Sequence, residues 1–207
     1  DIQRSSGHRV LDEAARRQVL RHWLFRPATA DGHPVQAVGI PVYPVRGNHD
    51  ANVTAWNTVF TGARALPANG PAGEENRSYT VVNKNARFIV LDEMRPGSEY
   101  TMNETWLHEQ LTSASEQHLI VVGHVPLFSL ANSAPWDQLA QDGASAYVCG
   151  HYHVFDNARF VNAAGLGFEH LICSSGGNGS SPWTSSYPVP GFTRIEQSGT
   201  YGYMVVD

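Results

Sequence analysis

Apolar positions along the 207-residue chain follow two periods. Over residues 11–25, Leu11, Ala15, Val19 and Trp23 recur every fourth position, with Leu20 and Leu24 beside them and Arg16, Arg17 and Arg21 on the other side. That spacing predicts an amphipathic helix, which Pro27 stops. Elsewhere the pattern shortens to apolar runs bounded by turn residues. These predict strands at 40–45, 79–82, 87–92, 118–123, 146–149, 155–161, 170–173 and 201–206. The runs at 79–82 and 87–92 flank Asn83-Lys84-Asn85-Ala86 and read as a hairpin. Helices are expected over 51–60, 103–114 and 136–141, the second burying Trp106, Leu107 and Leu111. Pro41 and Pro44 imply that the strand at 40–45 is not paired on both sides throughout. Residues 28–39, 61–77 and 174–181 read as loops. The last of these lacks the Gly-Lys-Ser/Thr of a phosphate loop. Trp183, Tyr187 and Phe192 either line a rim or cover the core.

Composition narrows the class. An apolar share of 42% and a charged share of 16% are those of a globular protein, and the length suits one domain over 1–207. The net charge of −5 argues against a general binder of nucleic acid or anionic membrane. It does not exclude a phosphate ester, because bound metals would dominate the local field. No run approaches the length of a membrane span. Cys149 and Cys173 are too few for a disulfide scaffold and are read as buried thiols, with a single bridge left open.

Three of the apolar runs end in the same way. They lead into Gly47-Asn48-His49-Asp50, Gly123-His124 and Gly150-His151-Tyr152-His153. A buried strand that stops at a Gly turn delivers its next side chains to the sheet edge, where α/β proteins build sites. An amide oxygen binds hard metals, and imidazole binds a metal, contacts phosphate or moves a proton. Residues i and i+2 of an extended segment share a face, so His151 and His153 can reach one metal pair. One such turn is weak evidence; three in one chain point to a metal site.

In type and order these turns resemble the last three motifs of the calcineurin-like metallophosphoesterase family, and the likeness runs from about residue 41 to 177. The family's earlier Asp-x-His motif is absent before Gly47, and Asp31-Gly32 reverses its Gly-Asp. The chain starts at Asp1 with no initiator Met and is read as a fragment or processed product, incomplete at its N-terminus.

The resemblance implies an α/β fold of two mixed β-sheets packed as a sandwich and flanked by helices, with one or more N-terminal strands missing. It implies a metal-dependent hydrolase of small-molecule or nucleotide-type phosphate mono- or diesters. Two divalent or trivalent ions (Fe, Zn, Mn or Mg) would neutralise phosphate charge and generate hydroxide from a shared water. Asn48, His124 and His151 would bind one ion, His153 the other, and Asp1 would bridge them. His49 would contact phosphate and protonate the leaving oxygen, with Asp50 orienting it. A secreted or periplasmic location is expected over a cytoplasmic one. The same residues admit a second reading, a metal-binding pseudo-enzyme or an inactive fragment of such a phosphatase. A serine hydrolase is disfavoured, since 143–147 lacks the final Gly of a nucleophile elbow.

Overall fold

A computed structural model describes residues 29–30, 33–34, 42–50, 52–131, 135–173 and 190–199. The chain forms two compact units, residues 1–43 and 44–207. In the first, Thr29–Ala30 (β1) pairs antiparallel with His33–Pro34 (β2). The helix expected over 11–25 lies outside the described residues, as do Asp1, all of 174–189 and the strand expected at 201–206.

The second unit is mixed α/β. Its helices are Val53–Val59 (α1), Glu104–Thr112 (α2) and Trp136–Gln141 (α3). Asn52 caps α1 by accepting the Ala55 N–H at 3.0 Å, and Asn103 caps α2 by accepting that of Trp106 at 3.2 Å. Among the described residues, seven strands make the large sheet: Tyr79–Asn83 (β3), Ala86–Val90 (β4), His118–Val122 (β7), Ala146–Cys149 (β8), Phe155–Val161 (β9), Gly167–Cys173 (β10) and Phe192–Ser198 (β11). Their order is β11-β9-β10-β8-β7-β4-β3. The pairs β4/β7, β7/β8 and β8/β10 are parallel, and the flanking pairs antiparallel. A small second sheet pairs Met94–Arg95 (β5) with Ser98–Glu99 (β6).

Alternation along the central strands covers both faces of the large sheet. Ile89, Val121 and Tyr147 enter the main core with Trp106, Leu107 and Leu111 of α2 and Leu139 of α3. Val90 and Val122 turn instead toward Trp56, Leu66 and Tyr79. Each fully buried aliphatic or aromatic side chain contributes about 1.5–3 kcal/mol.

Three expectations need correction. Residues 42–47 carry no strand. Pro44 has no N–H to give a ladder, and its carbonyl accepts the Tyr79 hydroxyl at 2.6 Å instead. The second hairpin strand ends at Val90, two residues before Asp92, so Asp92 and Glu93 belong to the turn after it. β10 starts at Gly167, earlier than the apolar run suggests, and a side chain at that Gly would stand 2.0 Å from the Phe160 carbonyl oxygen. Of the two places left open for Phe192, the structure gives the core: it opens a strand, and its ring meets Trp136 edge-on at 4.5 Å.

Candidate metal centre

Three neighbouring parallel strands, β4, β7 and β8, run in register, with Val90 beside Val122 and Val122 beside Val148. Their C-terminal ends therefore open at one edge of the sheet. The ladder continues a little further, through Leu91 N–H to the Val122 carbonyl (2.9 Å), Gly123 N–H to that of Val148 (3.0 Å) and Gly150 N–H to that of His124 (2.9 Å). His124 and His151 leave from these ends. Asn48 arrives from a 3-10 turn, Asn48–Asp50, closed by the Asp50 N–H on the Gly47 carbonyl at 3.0 Å and by the Gly47 N–H on the Asp50 carboxylate at 3.2 Å.

The structure brings these three side chains together. His124 Nε2 stands 2.9 Å from Asn48 Oδ1, and His151 Nδ1 stands 3.3 Å from each of those atoms. Metal–ligand bonds of about 2.0–2.2 Å, at tetrahedral to octahedral angles, separate donor atoms by about 2.8–3.6 Å. One oxygen and two imidazole nitrogens thus form a triangle of the size that a single ion spans, with the donor types hard and borderline ions take. Among the described residues, no three of His, Cys, Asp and Glu form such a group; this trio depends on an Asn amide.

The local field favours ligation. Burial, then the charge of His151, lowers His124 to about 4, with Asp50 acting in the opposite sense. Burial, then His153 and His49, lowers His151. Both rings are neutral near pH 7, the form with a free lone pair. His49 and His153 lie close enough for their charge to act on both rings. His151 has a φ of +68°, a left-handed backbone that non-glycine residues rarely adopt. The Tyr100 ring meets it edge-on, with centroids 6.0 Å apart. Cys149, on the strand leading to His151, is buried in the core as expected, and burial raises the thiols of both Cys149 and Cys173. Asp1, the expected bridging ligand, lies outside the described residues.

A calcineurin-like phosphoesterase family model matches residues 11–155, more than half the chain. The chain belongs to the calcineurin-like phosphoesterase family. Its Asn48, His124 and His151 turns all fall within that match. Rat tartrate-resistant acid phosphatase type 5 (Rattus norvegicus) is 33% identical over 86 residues, covering 38% of this chain and 25% of that protein. The human protein gives the same values. The chain thus spans about a quarter of the length of the curated relatives it matches. Among solved structures, purple acid phosphatase PPD1 from yellow lupin (Lupinus luteus) aligns with a TM-score of 0.49 at 12% identity, covering 65% of this chain and 28% of that one.

Sequence reasoning missed the residues beneath the site. Arg46, Asp92, Glu93 and Tyr147 are almost wholly buried, and Tyr100 packs on His151. Two adjacent carboxylates directly after the apolar run at 88–91 were the signal, since β4 ends level with the two ligand-bearing strands.

Proposed function

We propose that this phosphoesterase hydrolyses phosphate esters at a metal centre built on Asn48, His124 and His151. The donor triangle of 2.9, 3.3 and 3.3 Å is the observation that carries this reading. These three residues would hold one ion, and His153 would serve a second. When bound, a pair of such ions neutralises charge on the phosphate and activates water. His49, on the turn beside Asn48, is exposed and free to meet a substrate, and its role is to donate a proton to the leaving oxygen. Asp50 holds the turn through the Gly47 N–H. A cleft of about 340 Å³ starts at His49 and Asp50 and runs along Ala55, Trp56, Val59 and Phe60. Its apolar wall suits an aryl leaving group, so an aryl phosphate is the assay substrate.

The test compares metal content and aryl-phosphate turnover in the full protein. His124→Ala should lose the ion and turnover together. His49→Ala should keep the ion and lose about 10²–10⁴-fold in turnover, the usual range for general acid–base catalysis. Equal loss of metal and turnover in His49→Ala would make His49 a ligand, and a protein that binds no divalent ion would overturn the reading.

A further inference from the structure

Asp92 and Glu93 follow β4 directly and are 1% and 0% exposed. Neither carboxylate enters the donor triangle. Each is committed to a different ligand-bearing turn. Asp92 takes the Arg46 guanidinium on both oxygens, at 3.0 and 3.1 Å, and the Arg77 Nε at 2.7 Å. Arg46 stands two residues before Asn48, is fully buried, and also donates to the carbonyls of Asp50 (3.3 Å) and Met94. Glu93 Oε2 accepts the backbone N–H groups of His124 at 2.7 Å and Val125 at 2.5 Å. On its other oxygen sits the Tyr147 hydroxyl, which shares one proton between Glu93 and the Val125 carbonyl at 2.9 Å. Tyr147 is on β8, the strand that delivers His151. The Glu93 carbonyl accepts the Tyr100 N–H at 2.7 Å, and Tyr100 is the ring packed on His151.

We propose that Asp92 and Glu93 are the positioning residues of the metal centre: Asp92 fixes the Asn48 turn through Arg46, and Glu93 fixes the His124 turn through two successive backbone amides while bracing the His151 turn through Tyr147 and Tyr100. The inference rests on the metal-centre reading and adds to it the residues that set ligand geometry. A carboxylate oxygen shared by two consecutive N–H groups fixes the peptide planes on both sides of His124, and so the direction in which its side chain leaves the backbone. Sites of this kind need their ligands held within about 0.5 Å and 10–20°. Gly123 shows what the arrangement demands. A Cβ there would lie 2.4 Å from both Glu93 Oε1 and the Tyr147 hydroxyl, so the residue before His124 must leave room for the carboxylate.

The test titrates Co²⁺ into this chain and follows metal-free amide exchange at 123–125 and in α2. Glu93→Gln can place its amide oxygen on the two N–H groups and its NH₂ on the Tyr147 oxygen, so it should bind Co²⁺ as the parent does. Glu93→Leu should bind about 10–100-fold more weakly, as expected when a group supporting a ligand is lost. Exchange at 123–125 should speed up in Glu93→Leu while α2 keeps its protection, a pattern that general destabilisation would not give. Should Glu93→Leu not fold, Tyr147→Phe removes one contact to the same carboxylate and should still weaken Co²⁺ binding. Parental affinity with unchanged exchange at 123–125, in whichever of these two variants folds, would overturn the proposal. If the parent binds no Co²⁺, the metal-centre reading fails, and exchange at 123–125 alone decides whether Glu93 holds that turn.

Discussion

Gly47 and Gly123 look alike in the sequence but serve different neighbours. A Cβ on Gly47 would stand 2.7 Å from Cε1 and 2.8 Å from Nδ1 of the His124 ring, whereas on Gly123 it would strike Glu93 and Tyr147. The first glycine therefore makes room for a ligand and the second for the group that holds one. Gly47→Ala should push the His124 ring away from Asn48 and lower Co²⁺ affinity at least about tenfold, as a titration would show. Unchanged affinity would mean that the ring can rotate and still ligate. At this scale the sequence was readable where chemistry is local. Asn48, His124 and His151 each follow a Gly at the end of an apolar stretch, and that signature survives in one dimension. Arg46, Asp92 and Glu93 were not readable, because their meaning lies in bonds across 46 positions (Arg46 to Asp92) and 31 positions (His124 to Glu93).

Among the elements, β10 carries the clearest consequence. Its alternation buries Phe168, His170 and Ile172. His170 stacks on Tyr147 at an interplanar angle of 3° and meets Trp136 and Phe128, with the Cys149 sulfur 3.9 Å from its Nε2. Burial lowers its pKa from 6.5 to about 3. The folded state keeps this ring neutral while the unfolded chain protonates it below about pH 6.5. The stabilising contribution is therefore complete above pH 6.5 and is lost as pH falls toward 3, with the unfolded state binding one more proton across that window. Urea titrations at pH 7, 6, 5 and 4 should show stability dropping by about 1.4 kcal/mol per unit below pH 6 on account of this group. His170→Gln, which cannot charge, should flatten that slope; an unchanged slope would locate the acid sensitivity elsewhere. Element types were legible where apolar runs are strong, and α3 and β8 and β9 kept their expected bounds. β11 was not, because among the described residues it is an edge strand: its sequence FTRIEQS exposes most of its positions, and a register shift between Arg194 and Glu196 breaks the alternation. Its assignment as a strand depends on pairing with β9, which no local pattern announces.

For the molecule as a whole, the order of the three Gly-terminated turns announced the family and a mixed α/β fold. It did not announce that β4 lies beside β7, and thus that Asp92 and Glu93 open at the same edge as the ligands. Strand adjacency is a tertiary fact, settled by which apolar faces meet. That adjacency also fixes when in folding the site can exist. The Asn48 contacts to His124 and His151 span 76 and 103 positions, and the parallel pairs that align them are non-local as well. Contacts with such separations carry the loop-closure entropy of much of the chain, so they form late and slowly. Divalent ion present during refolding should then leave the folding rate unchanged and slow unfolding, since a ligand bound after the transition state stabilises only the native side of the barrier. Stopped-flow refolding and unfolding with and without Co²⁺ would check this, and a faster folding arm would place the donor triangle in the nucleus. In a chain leaving the ribosome at about 5–20 residues per second, the centre has to wait for residue 151 and for the sheet to close, so metal is taken up by a finished fold and does not template one.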